Sequence, residues 1–211
     1  EGHLGRVVAV EEDAEGRGSM SVNVQVSESL WEPMTIQAIS SFEEQRVGIV
    51  QLDGQETDTA QLGNVTYQWP DEEQIILERS SFDMADRLPE GLAVGDSLLV
   101  EDNNGKTRSL ELSGLAYDAN GIPVPFTGTP SGYVDMDTFE WLGGASTYSE
   151  INIRVEDGPM TEEYAQQVLD EVVAQIEDAG LVVQNSRAFE PGELPLQSLF
   201  DALTLILTPL G

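Results

Sequence analysis

Leu194-Pro195-Leu196-Gln197-Ser198-Leu199-Phe200-Asp201-Ala202-Leu203-Thr204-Leu205-Ile206-Leu207-Thr208-Pro209-Leu210-Gly211 closes this 211-residue chain, and Asp201 is its one charged side chain. The stretch reads in two ways. A membrane-spanning helix needs about 20 mostly apolar residues; with Asp201, Thr204 and Thr208 inside it, the stretch falls short and would be the entry of such a helix. Alternatively, Leu196, Leu199, Phe200, Leu203, Ile206, Leu207 and Leu210 recur at helical spacing, with Gln197, Ser198, Asp201, Thr204 and Thr208 opposite. That is the pattern of an amphipathic helix packed on its own core. Periodicity alone puts the core helix slightly ahead.

Composition narrows the function classes. The chain has 39 acidic and 9 basic residues, a formal net charge of -30. Such a surface repels polyanions, which disfavours nucleic acid and direct docking on anionic lipid. It reads as a solvated exterior suited to high salt, and Lys106 is the single lysine. A hydrophobic fraction of 40% is enough for a packed core at this length. With no cysteine, disulfides, thiol nucleophiles and iron–sulfur ligation are excluded. The chain starts at Glu1 with no initiator methionine and no signal segment, as expected of a piece of something longer.

Strand patterns dominate the first two thirds. Residues 6–11, 21–26, 34–39 and 47–52 read as strands, with a polar turn across 12–18 and a long polar loop across 53–64. Residues 75–77 predict a short buried strand, leading into a helix capped by Ser80 or Ser81. Residues 97–101 and 107–116 predict a hairpin closed by a type I′ turn at Asn104-Gly105. A Gly/Pro-rich loop follows to residue 131, then a brief strand at 132–134 and a helix capped by Asp135 or Asp137 that ends at Gly143. Thr161 caps the clearest helix. Glu162 and Glu163 stand in its first turn, Gly180 at its end, and Tyr164, Val168, Val172 and Ile176 form its apolar stripe, with Leu169 and Val173 in support. With strands at 151–155 and 181–183 it forms a strand–helix–strand unit.

No constellation carries a reaction. His3 is the only histidine, which removes Ser-His-Asp catalysis and zinc sites with two imidazoles. No phosphate-binding loop is present. Asp102-Asn103-Asn104-Gly105 has calcium-loop composition, but Val100 stands where the first ligand belongs, so the hairpin reading prevails. Asp71, Glu72 and Glu73 offer carboxylates, yet adjacent acids in a turn are solvated, and catalytic pairs need burial to split their pKa values. Trp69, Tyr133 and Trp141 suit a core better than a ligand groove. The expectation is a non-enzyme with no catalytic residue, no cofactor and no metal.

A set of segments in order adds to this: Trp69-Pro70, Ile75-Ile76-Leu77-Glu78-Arg79-Ser80, Leu92-Ala93-Val94-Gly95-Asp96-Ser97-Leu98 and Ser113-Gly114-Leu115-Ala116-Tyr117-Asp118. Gly132-Tyr133-Val134, Thr138-Phe139-Glu140-Trp141-Leu142-Gly143 and Ile151-Asn152-Ile153 follow, then Leu194-Pro195-Leu196 and the closing apolar run. Together they resemble the extracytoplasmic (periplasmic core) domain of FtsX/MacB-type ABC transporter permeases, over roughly residues 69–211. The resemblance implies an α+β fold in two lobes. Residues 1–65 and 150–193 would form a discontinuous membrane-proximal α+β lobe of split βαβ type. Residues 66–149 would form an inserted β-rich lobe, and 194–211 would start a transmembrane helix, with Leu199, Phe200, Leu203, Ile206, Leu207 and Leu210 at the membrane entry. It further implies a permease homodimer held in the cell membrane by flanking helices, a cytoplasmic ATP-binding subunit or domain as partner, and an extracytoplasmic protein partner. The alternative is a free-standing secreted or halophilic binding domain whose last helix is internal.

Overall fold

The computed structural model describes residues 14–45, 47, 50–52, 67–84, 86–102, 104–118, 123–155, 158–159 and 161–188. Eight strands join one mixed sheet: β1 (Ala14–Ser27), β2 (Leu30–Ile39), β3 (Val50–Leu52), β4 (Gln74–Glu78), β5 (Ser97–Glu101), β6 (Thr107–Asp118), β7 (Ser131–Asp135) and β8 (Glu150–Ile153). A 3₁₀ turn spans Arg79–Asp83, and the helices are α1 (Val124–Thr127), α2 (Met136–Trp141) and α3 (Glu162–Asp178). The expected α+β class is what forms.

Pairing closes the sheet on itself. β1 runs antiparallel to β2, and β2 parallel to β7. β7 runs antiparallel to β4, and β4 parallel to β6. β6 then pairs antiparallel with β5, whose Val100 and Glu101 return to Val24 and Asn23 of β1. Alternation along each strand therefore gives this ring an inside and an outside. Every strand of the ring sends apolar residues inward: Val22 and Val24, Met34 and Ile36, Ile75 and Leu77, Leu98 and Val100, Leu110 and Leu112, and Val134. α2 closes this core with Phe139 and Leu142. Opposite parity, reached in β6 through the register shift between Leu112 and Gly114, gives a second, outer cluster: Ile39, Ile76, Ala116 and Tyr133, covered by Val50 and Leu52 of β3 with Phe42, Tyr67 and Trp69 packed on it.

Several local expectations change. Residues 14–18, expected inside a polar turn, are strand. Gly16 and Gly18 look like turn formers, but their role is close approach. A Cβ on Gly16 would lie 2.3 Å from the Tyr148 ring, and one on Gly18 would lie 2.9 Å from Phe139. The helix expected from Ser80 or Ser81 is only the 3₁₀ turn, and its cap is Glu78, whose carboxylate accepts from the Ser80 amide. The hairpin after β5 is not a two-residue I′ turn. Gly105 takes φ 75° while Asn104 stays out of the left-handed region, and the Gly105 amide closes a turn onto the Asp102 carbonyl at 2.9 Å. The Asp102 carboxylate accepts the amides of Asn104 and Lys106, both at 2.9 Å, and so does what an I′ backbone would have done. The Lys106 amide first, then that of Asn104 and the Arg108 side chain, lower the Asp102 pKa. The loop after β6 contains the short α1, ended by Gly128 at φ 70°.

Contacts divide the chain into two compact units. One comprises Glu15–Asp118 and Ile122–Asn152; the described part of the other is Ala14 and the residues from Ile153 onward. β1, β2 and β3 all pair within the one sheet. Charge and glycine content near residue 15 hid the strand that hydrogen bonding reveals. In the second unit α3 forms as expected, with the Thr161 hydroxyl accepting from the Tyr164 amide and Gly180 at φ 85°. Residues 181–183 do not form the expected return strand. Val182 is 84% exposed, and three β-prone residues without a ladder partner have nothing to make them a strand. The strand at 6–11 and the loop at 53–64 lie outside the described residues.

Candidate functional site: a buried ionic cluster on the outer face of the ring

β1 alternates Glu15, Gly16, Arg17, Gly18, so its glycines face Tyr148 and Phe139 while its charges face the outer cluster. Arg17 Nη1 donates to Asp118 Oδ2 at 3.2 Å and Arg17 Nε to Glu15 Oε1 at 3.4 Å. The Tyr133 hydroxyl donates to the same Asp118 oxygen at 3.3 Å, and the Val47 amide to Glu15 Oε2 at 3.3 Å. Arg17, Asp118 and Glu15 are each at most 7% exposed. The cluster ties β1, β6, β7 and the segment leading into β3 together. Its charges come from positions 101 residues apart in sequence.

Glu78, at the end of β4, is the third buried carboxylate of this face. The Ser80 hydroxyl donates to Glu78 Oε2 beside the Ser80 amide at 2.8 Å, and Ser80 Oγ accepts the Val124 amide at 2.9 Å. Burial raises the Glu78 pKa, more than the Ser80 hydrogen bonds and Arg79 lower it, with Asp118 adding to the rise. Burial likewise holds the Tyr133 phenol well above its ordinary pKa, reinforced by the negative charge of Asp118. Tyr133 is therefore a neutral donor. For Glu78 the folded pKa lies above the unfolded one. Its contribution to stability is full below the unfolded value and is lost as pH rises through the folded value. Glu78→Gln keeps an acceptor for Ser80 and removes the charge. It should therefore be at least as stable as the parent near neutrality and show a flatter fall in stability as pH rises above about 4. Urea midpoints across that range check this; a variant clearly weaker at neutral pH would contradict it.

This arrangement anchors structure; it has the form of a clasp, with each carboxylate engaged by donors. Among the described residues no group of three or more His, Cys, Asp or Glu is placed to hold a metal ion. Asp71, Glu72 and Glu73 are exposed on a turn whose Glu73 has φ 61°. The Glu73 amide is fixed by Thr138 Oγ1 at 3.0 Å. The three aromatics do not line one groove. Tyr133 is buried and Trp69 stacks on Phe42 at 5.1 Å in the outer cluster. Trp141 lies half-buried against the inner core under the Arg108 guanidinium, 4.2 Å from its ring centre.

Sequence reading missed the clasp. Its one visible trace is Glu15-x-Arg17, opposite charges two apart on one strand face; nothing local points to Asp118. The membrane-entry residues Leu199, Phe200, Leu203, Ile206, Leu207 and Leu210 lie outside the described residues. Among the described residues no helix is long and apolar enough to cross a membrane.

The closed sheet with its few helices has the fold of extracytoplasmic domains of ABC-type transporters. The extracellular domain of the noncanonic ABC-type transporter YknZ from Gram-positive bacteria superposes with a TM-score of 0.52 at 11% identity, over 89% of this chain and 84% of that one. The periplasmic region of MacB from Actinobacillus actinomycetemcomitans gives 0.51 at 11% identity, over 97% and 81%. At such identity the likeness is one of fold, and at that level the resemblance read from the sequence holds. No protein-family profile and no curated protein sequence matches the chain.

Proposed function

We propose that this chain is the extracytoplasmic domain of an ABC transporter permease of the FtsX/MacB type. It is non-catalytic and passes motion driven by a cytoplasmic ATPase to a substrate (lipoprotein, peptide or drug) or to an extracytoplasmic partner. The observation that carries this reading is the fold shared with two transporter domains over most of all three chains. The apolar run at 194–211 supports it as the approach to a spanning helix, and a permease homodimer supplies the geometry in which two such domains move together. The acidic exterior fits a solvated face outside the bilayer better than a lipid- or polyanion-binding one. In this reading residues 1–65 and 150–193 form the membrane-proximal lobe and 66–149 the lobe inserted in it.

The chain has no cysteine, so Val182→Cys places a single thiol in it at a fully solvated position. In the full-length protein expressed in its own membrane, a membrane-impermeant maleimide is expected to label residue 182 in intact cells. ATP binding by the assembled transporter is expected to change the labelling rate. Labelling only after permeabilisation, or a protein found entirely in the soluble fraction, would overturn the assignment and favour a free-standing domain with an internal last helix.

A further inference from the structure

The second unit contains an unusual helix. α3 has no basic residue along its 17 positions, and none of its residues is fully buried. Its stripe of Tyr164, Val168, Leu169, Val172, Val173 and Ile176 is only half-covered. On the solvated side Glu163, Asp170 and Glu177 recur every seven residues, and Glu171 and Asp178 repeat the spacing beside them. Seven residues are two turns, so each row stacks on one line with roughly 10 Å between carboxylates. No cation of the helix answers them: Asp170 accepts from Gln166 at 2.8 Å and Glu171 from Gln167 at 3.0 Å. Glu177 and Asp178 stand at the C-terminal end, where the unsatisfied carbonyls already place negative charge. The cations of this unit among the described residues, Arg154 and Arg187, fall outside the helix in sequence and have interactions of their own.

The spacing decides how this ladder behaves. The screening length is about 8 Å at physiological ionic strength and about 3 Å at 1 M. At low salt, rows spaced roughly 10 Å apart repel along the whole helix. At molar salt each carboxylate is isolated from the next. The ring differs, because Ile75, Leu77, Leu110 and Leu112 are fully buried and do not depend on the exterior. We propose that α3 is a salt-sensitive element, fully helical only when dissolved ions screen its acidic ladder, and opening at low ionic strength while the ring stays folded. This inference does not rest on the transporter reading.

Hydrogen exchange of the 211-residue chain at about 2 M and about 0.05 M NaCl tests it. Protection across residues 168–176 should fall by about tenfold or more at the lower salt, with residues 75–77 and 110–112 nearly unchanged. Equal protection of the helix at both salts, or loss of helix and ring in parallel, overturns the proposal. The paired change Glu177→Lys and Asp178→Lys puts cations at the helix C-terminus and should preserve helix protection at low salt. Unaltered salt sensitivity in that variant also overturns it. Sucrose strengthens burial without screening; if it replaces NaCl fully, the ladder is not the cause.

Discussion

Arg17→Met is expected to lower folding stability by about 3 to 5 kcal/mol, the usual cost of removing one member of a buried ion pair. The guanidinium bridges Glu15 and Asp118, at 3.4 and 3.2 Å, in a cluster with side chains at most 7% exposed. Methionine fills much of the same space, so the loss is electrostatic: two carboxylates remain in a poorly solvated layer with the Arg17 charge removed. One further outcome distinguishes this from a packing defect. Replacing all three members with apolar residues should recover most of the stability, because burying an ion pair carries its own desolvation cost. Urea midpoints at constant slope measure each step. A cost below about 1 kcal/mol for Arg17→Met would mean that water reaches the cluster and that the clasp is not a clasp.

What could be read from the sequence follows from how local each feature is. Strands at 21–26, 34–39, 97–101 and 107–116 announce themselves by alternation, and α3 by its cap, stripe and closing glycine. Each signal sits within one segment. The N-terminal half of β1 was hidden because its glycines exist for Tyr148 and Phe139, far along the chain, and its charges exist for Asp118. A local reading sees a polar turn there. The ring itself is a fact about pairing order. Parallel registers such as Thr35 with Ser131, and Gln74 with Glu111, leave no trace in either partner strand. The resemblance supplied the architecture that alternation alone does not.

Phe139→Ala should cost about 3 to 5 kcal/mol, whereas Trp141→Ala should cost only about 1 to 2 kcal/mol. Sequence reasoning expected Trp141 to be a core residue because indole is large and apolar. α2 decides otherwise. Asp135 caps the helix, its carboxylate accepting from the Thr138 amide at 2.6 Å, and so fixes which face meets the ring. Phe139 and Leu142, three residues apart, then share the inward line, at 2% and 0% exposure. The Phe139 ring fills space left by two glycines: added Cβ atoms would approach it to 2.9 Å from Gly18 and 2.3 Å from Gly144. Truncating it opens a cavity against backbone that cannot collapse, the condition under which such losses are greatest. Trp141 instead rests half-exposed beneath Arg108, so alanine there forfeits part of an apolar contact and a cation–π pair while solvent fills the gap. Arg108 would keep its bond to Asp102, which limits the loss further. If the two variants came out in the reverse order, the indole, and not the Phe139 ring, would be what closes the inner core, and the inward face of α2 would have to be reassigned.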